Sequence, residues 1–336
     1  RRQRQMCIRD RYLAVDFFFL LSGFVVAFAY DDRWGSLSKW DFYKRRLIRL
    51  QPMVVMGSII GAALIGFQHS SVAFPGLASA TIGKIFLLMV IGATLIPVPI
   101  SMDIRGWQEM HPLNGPAWSL FFEYIANVLY AIGIRRFSKD ILAIFVSITG
   151  LMLFAYLVLG KQGDLIGGWS LSKDQLFIGF TRVLFPFFAG VLLSRAGKLI
   201  RIQNAFWWSS LLILIVLSVP RIGNEEHVWM NGIYEAICVI LFFPLIVSIG
   251  AGGVLLSEKS KNICKFLGDI SYPLYITHYP IIYIYTAWIS NNHLIMQPYA
   301  LVVGLLVVVL SILLAYACLK FYDEPVRKWL QNKYLK

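Results

Sequence analysis

Along almost its whole length the chain alternates long apolar runs with short polar connectors. The runs fall at Leu13 to Tyr30, Leu47 to Phe67, Ile82 to Ile100, Pro116 to Ile134, Ile141 to Leu159, Leu176 to Ser194, Phe206 to Pro220, Gly232 to Gly252, Leu267 to Ile289 and Pro298 to Leu319. A helix rising 1.5 Å per residue needs about 20 mostly apolar residues to cross roughly 30 Å of hydrocarbon, so each run is a candidate span. The pattern predicts an all-α, polytopic transmembrane helix bundle of about nine to ten spans, forming one domain over residues 12–336.

The polar connectors set an orientation. Basic clusters stand at Lys39/Lys44/Arg45/Arg46/Arg49, Arg135/Arg136/Lys139, Arg195/Lys198/Arg201, Lys259/Lys261/Lys265 and Lys320/Arg327/Lys328/Lys333/Lys336. Positive charge accumulates on the cytoplasmic side, so all five are expected there, with the C-terminus. Two cytoplasmic clusters must be separated by an even number of crossings. Between Arg49 and Arg135 lie three runs, so one does not cross. The weakest is Ile82 to Ile100, which starts beside Lys84 and ends in Pro97 and Pro99. It is expected to dip in or to lie at the outer interface. Residues 1–11 (RRQRQMCIRDR) abut a hydrophobic run without a linker and are read as a non-native scar.

Composition sharpens this picture. The chain is 58% hydrophobic and 15% charged, against about 25% charged for soluble domains. The net charge of +13 would suit nucleic acid, but the basic residues sit between apolar runs, and no nucleic-acid partner is expected. Four cysteines, scattered without a C-x-x-C pair, suggest neither a disulfide framework nor a zinc site, and no metal is expected.

The chain contains no G-x-S-x-G, Walker A, G-x-G-x-x-G or H-E-x-x-H signature. What carries chemistry is the polar minority inside apolar helices, where each ionisable group is costly. In Asn114-Gly-Pro-Ala-Trp118-Ser119-Leu-Phe-Phe-Glu123, a helix start is followed by Ser119, Glu123 and Asn127 at four-residue spacing on one face. Glu123 could act as a base or orient one, or it could tie helices together with Trp118 as an interface anchor. Ser271, Tyr275 and His278 share a helical face in a segment that carries Pro273 and Pro280. Imidazole is the side chain best poised for proton transfer near neutrality, although a lone His can also be structural. Arg45, Arg46 and Arg49 open a later helix, in a geometry that can grip phosphates or answer positive-inside bias alone. Asp16 and Arg182 lie inside other spans, and Arg182 needs a carboxylate partner, from Asp16 or Glu123. Glu235 and Asp269 are less informative, and His111 reads as an external loop residue.

These segments resemble the membrane acyltransferase-3 family. The match rests on V-D-F-F-F-L-L-S-G-F at Val15 to Phe24, R-R-L-I-R-L-Q-P at Arg45 to Pro52, W-S-L-F-F-E at Trp118 to Glu123, S-Y-P-L-Y-I-T-H at Ser271 to His278 and D-E-P-V-R at Asp323 to Arg327. The resemblance implies an enzyme of a bacterial plasma membrane that moves an acyl group from cytoplasmic acyl-CoA to a carbohydrate, glycolipid or exported metabolite. It implies that Arg46 and Arg49, with Arg45 beside them, meet the CoA phosphates, and Trp118, Ser119, Glu123 and His278 match its motif residues; Glu123, His278 and Asp16 are expected to be catalytic, and Trp118, Ser119, Arg182 and Tyr275 to bind substrate. Such proteins carry an essential His on a first helix to which no position here corresponds, so the chain is expected to lack that helix. The rival class is a transporter or flippase, in which the same polar residues line a route.

Overall fold

The computed structural model describes residues 12–224, 226–255, 257–292 and 298–335; the segment read as a scar lies outside them. Among the described residues the only regular secondary structure is helical: α1 (Ala14–Tyr30), α2 (Lys39–Ala63), α3 (Ile82–Ala93), α4 (Ala117–Ile132), α5 (Lys139–Leu159), α6 (Lys173–Ala196), α7 (Ala205–Ser218), α8 (Val228–Ile237), α9 (Phe243–Gly252), α10 (Glu258–Asn292), α11 (Pro298–Cys318) and α12 (Glu324–Tyr334). A π turn at Cys238–Phe242 joins α8 to α9, and another at Leu319–Asp323 joins α11 to α12. Side-chain caps start several helices: Ser38 accepts from the Asp41 amide at 3.0 Å, Thr81 from Lys84 at 3.2 Å and Ser138 from Ile141 at 3.2 Å.

Five stretches are long and apolar enough to cross a membrane: Ala14–Arg33, Lys139–Leu159, Lys173–Ala196, Val228–Gly252 and Tyr299–Tyr334. On α11, Leu301, Leu305, Val308 and Leu313 are each more than half exposed, the surface a lipid-facing helix presents. The helix inside the run expected not to cross, α3, has 12 residues, about 18 Å at 1.5 Å each and short of the roughly 30 Å core.

The chain forms two compact units. The first comprises residues 12–37, 122–168 and 177–264, and the second residues 38–121, 169–176 and 265–336, over the described residues. In the first, α1 and α6 approach to backbone contact. A Cβ on Gly23 would fall 1.8 Å from the Phe187 carbonyl oxygen, and one on Gly190 would fall 2.0 Å from that of Leu20. Close approach of this kind replaces the hydrophobic drive that lipid removes. Gly190→Ala is therefore expected to lower the unfolding free energy in detergent by about 1–3 kcal/mol, read as a lower midpoint. Gly83→Ala, where a Cβ meets nothing within 4 Å, is the matched control, and equal midpoints for the two variants would refute the packing argument.

The second unit is organised around α2, α3 and α10. Phe74, Leu77, Leu88, Val98, Ile104, Leu113, Tyr283 and Ala287 form its core, so the irregular stretch between α3 and α4 is buried under helices. Its backbone groups are satisfied internally: Val98 N–H donates to Met110 O at 2.9 Å, and Met110 N–H to Trp169 O at 2.7 Å. Irregular backbone is tolerated at membrane depth only when buried in this way.

Candidate active site

In the second unit, the start of α4 and the middle of α10 are joined by polar contacts. The Asn114 amide donates to the Ile276 carbonyl at 2.9 Å, and the Ser119 and Tyr275 hydroxyls lie 2.5 Å apart. Tyr275 O–H also reaches the Pro116 carbonyl at 2.9 Å. The Pro116 carbonyl also accepts from the Ser119 amide and hydroxyl, each at 3.1 Å, so Tyr275 ties α10 to the first turn of α4. Trp118 is buried beside them. One turn after Tyr275, His278 Nδ1 lies 2.9 Å from the Leu274 carbonyl and 3.0 Å from that of Tyr275. A ring nitrogen facing two carbonyls must carry the proton. The neutral ring then presents Nε2 as its acceptor, the arrangement a general base requires. The Tyr275 and Tyr279 rings flank the imidazole.

In the first unit, the Ser22 hydroxyl donates to Glu123 Oε1 at 2.6 Å. Asn127 donates to the Glu123 carbonyl at 2.8 Å, so the polar stripe of α4 is built as its spacing suggests. Asp16 and Arg182 form the pair that the intramembrane arginine needs. Arg182 Nε lies 3.1 Å from Oδ1 and Nη2 2.7 Å from Oδ2, with both side chains fully enclosed. The same guanidinium donates to the carbonyls of Gly167 and Tyr12. Asp16 is thus held through both oxygens.

Arg45, Arg46 and Arg49 occupy the first turns of α2, in the second unit. Arg45 and Arg46 are half-buried and Arg49 is exposed. Nearby, Lys44 reaches Asp41, whose carboxyl is held below its usual range chiefly by the Ser38 hydroxyl.

Two polar clusters escaped the sequence reading. In the first unit, Glu235 accepts from the Tyr12 hydroxyl, from Asn231 at 2.6 Å and from the Leu165 amide at 2.9 Å. In the second unit, the stretch before α4 buries Arg105, Glu109 and His111. The Arg105 guanidinium lies 3.6 Å from the Tyr283 ring centre and 5.0 Å from that of Phe74, and its Nε donates to the Pro112 carbonyl at 2.8 Å. Tyr283 O–H donates to Glu109 at 2.6 Å. His111, expected to be external, is enclosed and faces the Leu95 carbonyl at 3.2 Å. These residues lie in irregular backbone, where no periodicity marks a buried side.

Burial pushes the Glu109 carboxyl up from 4.5 to about 7, against the pull of Arg105 and Tyr283, and pushes His111 down from 6.5 to about 4. The two act oppositely on stability. Between 4.5 and 7 folded Glu109 binds the proton that the unfolded chain has lost, so its contribution falls as pH rises. Between 4 and 6.5 the unfolded chain protonates His111 while the folded one does not, so that contribution rises with pH. Relative to the parent, Glu109→Gln should therefore gain stability as pH rises through its window, and His111→Asn should lose it. Each change is up to roughly 3 kcal/mol at about 1.4 kcal/mol per pH unit. Unfolding midpoints measured from pH 4 to pH 8 test both slopes, and parallel curves would refute them.

Helices able to cross a membrane, with carboxylates, a histidine and arginines set among them, define a membrane protein equipped with an enzyme's acids, bases and cations. Residues 10–316 match the acyltransferase-3 family, described as an acyltransferase domain, and the chain belongs to that family. It is 34% identical over 154 residues to Protein 2 in picA locus of Rhizobium radiobacter, covering 43% of this chain and 78% of that protein. It is 22% identical over 331 residues to O-acetyltransferase OatA of Staphylococcus aureus, covering 94% of this chain. The chain spans about half the length, 53%, of that staphylococcal protein. No solved structure matches it significantly.

Proposed function

We propose that the chain is the membrane part of an O-acyltransferase that takes an acyl group, acetyl in the first instance, from acyl-CoA. The acceptor is a hydroxyl on a carbohydrate, glycolipid or exported metabolite. The observation that carries this reading is His278, whose Nδ1 is turned onto backbone carbonyls beside the Ser119–Tyr275 contact. On this reading Nε2 removes the acceptor's proton as the hydroxyl oxygen bonds to the thioester carbon, and CoA leaves as its thiol. Asp16, held by Arg182, fixes α1 against α6. Trp118, Ser119 and Tyr275 shape the acceptor side. Arg45, Arg46 and Arg49 grip the phosphates of CoA, for which planar guanidinium forks are suited. The printed name of the staphylococcal relative supports acetyl as the group moved.

Labelled acetyl-CoA supplied to the purified protein in nanodiscs, with mixed oligosaccharide and glycolipid acceptors, should give labelled ester. Arg46→Ala should raise KM for acetyl-CoA by about tenfold or more with a smaller change in kcat, the signature of lost uniform binding. Absence of both transfer and CoA binding would sink the proposal. Acceptor crossing sealed liposomes without any acyl-CoA would point to the transporter class instead.

A further inference from the structure

The C-terminal D-E-P-V-R segment has no part in the site described so far, yet it holds a costly side chain. In the second unit, α12 packs against α2, and the π turn before α12 also meets α2. The two acids of the segment take opposite directions. Glu324 points outward and pairs with Lys320 at 2.5 Å, half exposed. Asp323 is fully enclosed, and neither carboxylate oxygen has a hydrogen-bond partner among the described residues. Successive helical residues point about 100° apart, which lets the two acids meet different surroundings.

A buried carboxylate without hydrogen bonds is expensive unless cations surround it. Here the cations are arginines. Arg327 Nη1 lies 3.3 Å from Oδ2, and Arg49, on the helix against which this segment packs, adds a second favourable charge. Arg45 and Arg49 stand one turn apart on the same face of α2, the helix against which this segment packs. Nε of Arg45, and Nε and Nη1 of Arg327, are also enclosed without a hydrogen-bond partner among the described residues. Arg49 and Arg327 against one carboxylate leave a surplus of positive charge, and guanidinium forks match a phosphate best.

We infer that Asp323 is a positioning residue for this arginine group, and that Arg327 joins Arg45, Arg46 and Arg49 in a site for the diphosphate of the CoA donor. The inference rests on the donor reading above and extends it to the C-terminal helix. Asp323 touches no phosphate. It holds Arg49 and Arg327 from behind, so that their free edges face the ligand.

The sign of one measurement separates this from simple electrostatics. If the carboxylate acted only through its charge, removing it would tighten phosphate binding. If it positions arginines, removing it loosens binding. Isothermal titration of the full chain in nanodiscs with CoA, and separately with inorganic pyrophosphate, is the test. Asp323→Asn should weaken both by about tenfold or more and raise KM for acetyl-CoA while sparing kcat, and Asp323→Glu should recover part of the loss. Arg327→Gln, at a half-buried position, should move binding in the same direction and keeps the test open if the Asn variant does not fold. Unchanged or tighter binding in Asp323→Asn and Arg327→Gln, with binding lost in Arg46→Ala, would overturn this inference and leave the donor reading standing. A parent protein that binds neither probe would overturn both.

Discussion

Arg182→Met should be among the most destabilising single changes in the chain, at about 3–5 kcal/mol. The arginine is enclosed to 1% exposure and its partner Asp16 to 0%. Losing the cation strands an enclosed carboxylate whose ion pair is with Arg182, along with the Gly167 and Tyr12 carbonyls that Arg182 also serves. The cost is that of an uncompensated buried charge rather than of one lost contact. For that reason the double variant Asp16→Leu with Arg182→Met should be more stable than the sum of the single losses predicts, because no charge is left behind. Denaturant or thermal unfolding in one detergent, compared across the parent, both single variants and the double variant, measures the coupling. Additive losses would show that the two side chains do not act as a pair.

The same pair shows how far the sequence could be read. An arginine in an apolar run announces its need for an acid, and Asp16 and Glu123 were both able to supply it; geometry selected Asp16. Hydropathy located the apolar part of these helices but not where the helix begins. The run at Leu47 belongs to a helix that starts at Lys39, and the run at Leu267 to one that starts at Glu258. In both, polar first turns continue the helix beyond the apolar part, and hydropathy is blind to them. The stripe of Ser119, Glu123 and Asn127 was legible because helical spacing is fixed by geometry. The cluster of Arg105, Glu109 and His111 was not, because in irregular backbone the buried side of a residue depends on which helix covers it. The inward turn of Asp323 was hidden for a related reason: α-helical spacing does not apply across a π turn.

The second large effect is on the reaction. His278→Ala should lower kcat by about 10²–10⁴-fold, the usual worth of a positioned general base. KM for acetyl-CoA should change little, because the arginines proposed to hold the donor stand on α2 and are untouched. Alanine also deletes the contacts from Nδ1 to the Leu274 and Tyr275 carbonyls, so a loss of activity alone would leave a structural explanation open. His278→Asn separates the two. Its side-chain amide can still donate to the carbonyl one turn back, preserving the tie within α10, but it has no basic nitrogen to accept a proton. A folded, CoA-binding and inactive Asn variant assigns the loss to proton transfer, and added imidazole should return part of the activity to the Ala variant by occupying the space left. Normal turnover in His278→Asn would show that the imidazole serves α10 and not the reaction, and the base would have to be sought elsewhere.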